Sequence, residues 1–131
     1  MNNLQLSLIE KWFKMTKTGE KTEDYREISP YFCNRFLLQN GKTMSKEWWG
    51  KYLHFYKIKS LKESLETNCQ IHRITFKQFE NNIMTLGYPK STDTDRILKM
   101  EHKGIDIGTG TPDWGAVEGK LYFVVKHGSV L

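Results

Sequence analysis

The nine-residue segment 19–27, GEKTEDYRE, constrains the fold of this chain more than any other feature. It directly follows an amphipathic stretch, and Gly19 can take the left-handed conformation that ends a helix at little cost. Residues 22–26 then have the β-branched and aromatic content of a strand. The segment therefore predicts a helix end that leads within a few residues into a short strand.

Charged residues of this segment are predicted to form a cluster. Strand alternation puts Thr22, Asp24 and Arg26 on one face. Lys21 stands at the entry to the strand, where its long side chain can fold toward the same acid. A compact group of Lys21, Asp24 and Arg26 is the functional interpretation. A helix end followed by a charged hairpin strand is the structural alternative, and it would have the same spacing.

Periodicity and turn residues predict short elements along the rest of the chain. Ser29 and Pro30 are typical of a helix N-cap and first turn. The predicted helices cover residues 9–17, 30–36 and 46–55, and the predicted strands cover residues 5–8, 22–28, 71–79, 97–102 and 121–126. Short strands joined by glycine-rich and proline-containing loops favour a small barrel over a doubly wound sheet. Residues 1–131 are therefore predicted to form one α+β domain.

Positive charge is concentrated in residues 42–62. This segment holds six lysines against one acid, Glu47, and its net +5 equals the net charge of the whole chain. Aromatic residues alternate with the lysines, as in proteins that bind single-stranded nucleic acid. The aromatic residues are Trp48, Trp49, Tyr52, Phe55 and Tyr56. Alternatively, Trp48, Tyr52 and Tyr56 form the core-facing side of a helix, or an exposed Trp48 or Trp49 anchors a protein partner.

Several classes of site are not indicated by the sequence. Cys33 and Cys69 lie far apart without a CxxC pair, and no histidine stands at metal-ligand spacing, so no disulfide framework, metal site or cofactor is predicted. Gly41-Lys42-Thr43 ends like a Walker A loop but has Phe36 at the position of the first glycine. Neither a signal peptide nor a membrane span is evident, which predicts a cytoplasmic protein without a membrane partner.

The segment 19–27 is similar to the signature of the ASCH family, a relative of the PUA domains that bind RNA. The family pattern is Gly-x-Lys-x-x-Glu-x-Arg, which Gly19, Lys21 and Arg26 match, while Asp24 replaces the glutamate and shortens its reach by one methylene. The resemblance continues in residues 4–8 and 12–15 and again in residues 114–116 and 121–125. Residues 40–68 resemble the family much less. The resemblance implies a PUA-like β-barrel with flanking helices.

What the resemblance implies about the ligand is RNA or a modified nucleoside. The cleft would lie beside Lys21, Asp24 and Arg26, with Asp113 and Trp114 of the closing loop near it. Lys21 and Arg26 would hold phosphates or a base edge, and Asp24 would orient Arg26. For Trp114, a buried loop anchor is the structural alternative.

The resemblance also implies an enzymatic alternative. Some ASCH-like proteins are amidohydrolases that remove the acetyl group of N4-acetylcytidine with a lysine at the place of Lys21, a nearby threonine and a downstream glutamate; others are ribonucleases. Asp24 occupies the position of that threonine, which leaves Thr22 as an imperfect substitute. The candidates for the downstream acid are Glu80, Glu101 and Asp113. Burial and a neighbouring cation lower the pKa of a lysine whereas Asp24 raises it, so the sequence leaves the net direction open for Lys21.

Overall fold

Three α-helices and seven β-strands make up the α+β fold, as a computed structural model shows for residues 2–67 and 73–131. The elements in chain order are β1 (Asn2–Leu8), α1 (Glu10–Lys17), β2 (Glu23–Arg26), α2 (Pro30–Phe36), β3 (Leu37–Gln39), α3 (Lys46–Thr67), β4 (Ile74–Phe76), β5 (Phe79–Leu86), β6 (Ile97–Thr109) and β7 (Leu121–Val130). Two 3₁₀ turns lie at Thr94–Arg96 and Pro112–Trp114. The α+β class expected from the sequence is thereby confirmed.

The main sheet has five strands in the order β1-β5-β6-β7-β2 and curls into a half-barrel. β1 pairs with β5 in parallel, and the other neighbours are antiparallel. β1 and β2 are the two outer strands of this order, yet Nη2 of Arg26 on β2 donates a 2.7 Å hydrogen bond to the carbonyl oxygen of Ser7 on β1. The curl therefore brings the two edges close enough for one side chain to connect them.

The hydrophobic core is formed by residues of this sheet together with residues of the helices. β1 alternates strictly, because Leu4, Leu6 and Leu8 are buried while the residues between them are exposed or half-buried. The helix α2 begins as its sequence predicts, since the Ser29 hydroxyl accepts a hydrogen bond from the backbone nitrogen of Phe32 and Pro30 occupies the first turn. That cap sets α2 so that Phe36 is fully buried in the core.

The helix α3 covers most of the lysine-rich segment. Trp49 is fully buried and Tyr52 nearly so, whereas Phe55 is 74% exposed. The predicted core face is therefore correct in part: Tyr52 is buried and Trp48 packs partly against the core. Tyr56 is 43% exposed, and the fully buried tryptophan is Trp49. Since Trp49 is buried, it cannot anchor a partner. No helix in the described part of the chain is long and apolar enough to cross a membrane.

Two sequence predictions for strands are corrected by the structure. The predicted strand 71–79 is two strands: residues 71 and 72 lie outside the described residues, β4 pairs with β3 in a separate two-stranded sheet, and β5 joins the main sheet. The chain leaves β4 at Lys77, whose backbone nitrogen donates to the carbonyl oxygen of Phe36. The predicted strand 97–102 is too short, because β6 continues to Thr109 past a register shift near Gly104 (φ +105).

Lys57 interrupts α3 with an unusual backbone conformation. Its φ of 64° and ψ of 168° fall in a region that is essentially restricted to glycine, because a Cβ atom there crowds the neighbouring peptide groups. The helical predictions for residues 46–55 end just before this point. The side chain of Lys57 is exposed, so the backbone strain at this residue is not offset by burial of its side chain.

Replacing Lys57 by glycine is expected to raise the free energy of unfolding by about 1 kcal/mol, because relief of about 1–3 kcal/mol of backbone strain exceeds the added entropy of the unfolded chain. Urea unfolding of both proteins measures the difference. Lys59→Gly is the matched control: this exposed lysine is two residues further along α3, where glycine is expected to cost about 1 kcal/mol. Equal losses in the two variants would contradict the assigned strain.

Candidate functional site

A cavity of about 560 Å³ opens where the edges of the curled sheet approach each other. Its wall is formed by the end of β1 and the start of α1 on one side and by β2 and the loop before β7 on the other. The lining residues are Ser7, Leu8, Ile9, Trp12, Lys21, Asp24, Tyr25, Arg26, Glu27, Phe32, Trp114, Gly115, Val117, Lys120 and Tyr122. The cavity therefore contains the three charged residues that the sequence singles out.

The turn after α1 places Lys21 at the floor of the cavity. Gly19 has a φ of 83°, and the backbone nitrogen of Lys21 donates to the carbonyl oxygen of Met15, which folds the chain back under the helix end. Only 1% of Lys21 is exposed. Its ammonium group donates to the carbonyl oxygen of Glu23 and lies 3.5 Å from Oδ1 of Asp24. The predicted proximity of Lys21 and Asp24 is confirmed.

Asp24 connects the two cations of the cluster. Its Oδ2 accepts a 2.6 Å hydrogen bond from Nε of Arg26, while its Oδ1 faces Lys21. Asp24 is 5% exposed, so both ion pairs are largely shielded from water. Arg26 also donates to Ser7 across the gap between the sheet edges, as described above. One buried carboxylate thus fixes the positions of Lys21 and Arg26 relative to β1.

The pKa of Lys21 is lowered from its ordinary value of 10.5, which answers the question that the sequence leaves open. Burial is the largest cause, the charge of Asp24 opposes it, and Arg26 adds a smaller lowering effect. Desolvation therefore outweighs the acid. Lys21 therefore loses its proton, and becomes a neutral amine, at a lower pH than an exposed lysine does.

Aromatic side chains form the walls above this floor. Trp12, Phe32, Trp114 and Tyr122 all line the cavity. The loop packs tightly on Trp12 because Gly115 has a φ of 98°, and a Cβ atom at this position would lie 2.9 Å from Cζ2 of Trp12. Trp114 is half-buried and lines the cavity. It therefore combines the role of a loop anchor, which was the structural alternative in the sequence analysis, with a surface that faces the cavity.

Tyr25 holds the closing loop in place. Its hydroxyl accepts a 2.9 Å hydrogen bond from the backbone nitrogen of Thr111 and donates a 2.8 Å hydrogen bond to Oε1 of Glu23. Burial is the main cause that raises the pKa of Tyr25, which keeps the phenol protonated as a donor. A Cβ atom at Gly110 would lie 2.8 Å from Cζ of Tyr25. The glycine therefore allows the loop to approach β2.

Several predicted site residues lie outside the cavity. Thr22 precedes β2, is exposed, and is absent from the lining, so its predicted place beside Asp24 is wrong. Asp113 is exposed and also outside the lining. None of the candidate downstream acids, Glu80, Glu101 and Asp113, reaches the cavity. Its two carboxylates are Asp24 and Glu27, and the latter forms a 2.6 Å ion pair with Lys120 at the rim.

A buried polar network behind the cluster was not anticipated from the sequence. Nδ2 of Asn82 lies 2.7 Å from Nδ1 of His127 and 3.2 Å from the carbonyl oxygen of Lys126, and Oδ1 of Asn82 lies 2.7 Å from Nδ1 of His102. The carbonyl oxygen of Lys126 can only accept, so the atom of the Asn82 amide that faces it must be the nitrogen. Nδ1 of His127 therefore accepts a hydrogen bond from Asn82, and the ring proton of His127 lies on Nε2. No hydrogen-bond partner for Nε2 is found among the described residues.

This network adjoins the Lys21 turn. The backbone nitrogen of His127 donates to the carbonyl oxygen of Thr22, one residue from Lys21. The three side chains come from β5, β6 and β7, so no local pattern connects them; the only available signal was that His102 and His127 each stand in or beside a predicted strand. Burial is the first cause that lowers the pKa of His127 to about 4.

The described residues offer no candidate metal centre. Within residues 2–67 and 73–131 no three histidine, cysteine, aspartate or glutamate side chains come together in a group that could hold a metal ion. Cys33 is buried, and burial raises the pKa of its thiol to about 12. A thiol that remains protonated is a poor nucleophile and a poor metal ligand. Cys33 is therefore not a candidate nucleophile or metal ligand.

No family model, curated protein or solved structure matches this chain. The function is therefore inferred from the geometry of the chain's own residues.

Proposed function

We propose that the cavity binds one base of an RNA or a modified nucleoside, and that the chain is a PUA-like domain of the ASCH kind. The observation that carries the proposal is the combination of aromatic walls with a buried Lys21–Asp24–Arg26 floor. The family assignment draws its support from the curled sheet and from the clustering of the three motif residues.

The size and walls of the cavity suit a nucleobase. Its volume of about 560 Å³ is within the range of small-molecule sites, roughly 300–1,000 Å³. Base–aromatic stacking is tolerant of sequence because every base has a π-face. Trp12, Phe32, Trp114 and Tyr122 offer such surfaces on more than one side.

The charges of the cavity favour a base edge over a phosphate. Asp24 is paired with Arg26 and Glu27 with Lys120, so these cations are already partly neutralised. The guanidinium of Arg26 uses Nε and Nη2 toward Asp24 and Ser7 and retains further donors. A base carbonyl or ring nitrogen is the acceptor that these remaining donors would recognise.

Binding of short RNA tests the proposal. Fluorescence anisotropy with labelled six-nucleotide oligouridylate, oligocytidylate and oligoadenylate at low salt is expected to show binding that weakens as salt rises. Trp114→Ala is expected to weaken binding about tenfold, because stacking contributes roughly 1–3 kcal/mol per base.

Phe55→Ala is the matched control, since this aromatic residue is 74% exposed on α3 and does not line the cavity. It should bind RNA as the unchanged protein does. If Phe55→Ala weakens binding and Trp114→Ala does not, the lysine-rich segment is the binding surface and the cavity proposal is wrong. If none of the three RNAs binds at low salt, RNA binding is wrong altogether.

The lowered pKa of Lys21 favours a second candidate, an amidohydrolase acting on N4-acetylcytidine-like nucleosides. A neutral amine is a better nucleophile or base than an ammonium group. Binding is preferred because Thr22 and the downstream acids lie outside the cavity. Release of cytidine from N4-acetylcytidine, lost in Lys21→Met, is the observation that would establish the enzyme instead.

A further inference from the structure

A second groove of about 440 Å³ continues from the cavity along the outside of β1. Ser7, Arg26 and Phe32 line both spaces, so the two are joined at the Arg26 side chain. Beyond Arg26, the groove is bordered by residues of α2 and by the turn after β5. A ligand that fills the cavity can therefore extend past Arg26 without leaving the protein surface.

The groove lining carries positive charge without any acid, whereas the cavity lining carries charges of both signs. The charged residues of the groove lining are Arg26 and Arg35. Nη2 of Arg35 donates a 2.6 Å hydrogen bond to the carbonyl oxygen of Gln5, and Arg35 forms no salt bridge with any carboxylate in residues 2–67 and 73–131. A guanidinium has five N–H donors in a planar fork that suits phosphate. An anionic ligand would supply the negative charge that the lining of this groove lacks.

Two exposed tyrosines border the same groove. Tyr31 is 47% exposed and Tyr88 is 93% exposed, and both belong to the lining. The guanidinium of Arg35 lies 5.9 Å and the ammonium of Lys46 5.1 Å from the centre of the Tyr31 ring. Aromatic rings beside unpaired cations provide the two contacts that successive nucleotides need, a stacking surface and a phosphate partner.

We infer that this groove binds the nucleotides next to the one in the cavity, so that the ligand is a single-stranded RNA segment and not a free nucleoside. The inference rests on the proposed binding of a base in the cavity. One base enters among Trp12, Phe32 and Trp114; the strand passes Arg26; the next phosphate pairs with Arg35, and flanking bases stack on Tyr31 and Tyr88.

The dependence of affinity on RNA length tests this path. The unchanged protein is expected to bind a labelled six-nucleotide RNA at least about tenfold more tightly than a two-nucleotide RNA, which is too short to fill both spaces. Tyr88→Ala and Arg35→Gln are each expected to weaken six-nucleotide binding about fivefold and to leave two-nucleotide binding unchanged. Tyr88→Ala removes a side chain that is 93% exposed, so the fold should not suffer.

Phe55→Ala again serves as the exposed-aromatic control, and it should not alter binding of either RNA. If Trp114→Ala weakens six-nucleotide binding while Tyr88→Ala and Arg35→Gln do not, the groove inference is overturned and the cavity proposal stands. If the unchanged protein binds neither RNA, the proposed function itself has failed. If the two RNAs bind equally tightly, the strand does not use the groove.

Discussion

Replacing Asp24 by asparagine is expected to lower the free energy of unfolding by about 3–5 kcal/mol, the usual cost of removing one partner from a buried ion pair. Asp24 is 5% exposed and contacts both Lys21 and Arg26. Without its charge, two cations remain close together in a poorly solvated space. Lys21 is then the more damaging of the two, because it is 1% exposed whereas the side chain of Arg26 is 19% exposed.

Urea unfolding at neutral pH measures this loss, and Asp106→Asn provides a matched control. Asp106 forms a 3.4 Å ion pair with Lys126, but its side chain is 64% exposed. Exposed pairs contribute about 1 kcal/mol or less, so the control variant should stay close to the unchanged protein. Similar losses in the two variants would mean that the cluster is solvated and that Asp24 does not organise the site.

Local signals in the sequence were sufficient for the elements around the site. Ser29 and Pro30 start α2 through contacts within four residues, and Gly19 ends α1 through its own backbone conformation. The clustering of Lys21, Asp24 and Arg26 also followed from spacing, because all three lie within six positions of one turn and strand. These predictions needed no knowledge of distant partners.

Thr22 shows where the same spacing argument fails. Alternation would place it beside Asp24 if the strand already existed at residue 22, but β2 begins at Glu23. The turn that folds Lys21 under α1 sets the orientation of Thr22, which becomes exposed. A shift of one residue in the start of a strand is enough to move a side chain out of a site.

The remaining errors arise from long-range pairing. Residues 71–79 alternate as one strand should, but the chain divides there between two sheets, because β4 pairs with β3 and β5 pairs with β1 and β6. On α3, both Trp48 and Trp49 are compatible with a core-facing stripe through Tyr52, since neighbours on a helix face are three or four residues apart. The packing of α3 against α2 and β4 decides between them, and sequence periodicity does not contain those contacts.

The polar network behind the site leads to the second large effect, a loss of stability in acid that depends on His127. Nδ1 of His127 accepts from Asn82, so protonating it would place a donor against a donor unless the Asn82 amide turned and gave up its bond to Lys126. Burial, above all, lowers the pKa of His127 from 6.5 to about 4, with the charge of Lys21 adding to this and that of Asp24 opposing it. The folded protein thus keeps the ring neutral where the unfolded chain takes up a proton.

The direction of the pH effect follows from that difference. Between pH 6.5 and about 4 the unfolded state binds the extra proton, so stability falls as pH falls through this window and is unaffected by His127 above it. A difference of this size corresponds to about 3 kcal/mol over the whole window.

Urea unfolding of the unchanged protein and of His127→Asn, measured from pH 7 to pH 4, isolates the contribution, because asparagine keeps an acceptor near Nδ1 but does not titrate. His54→Asn, at an exposed histidine of α3, should follow the unchanged protein. The unchanged protein should lose about 3 kcal/mol more than His127→Asn, and parallel curves for the two would show that His127 is not held neutral by the fold.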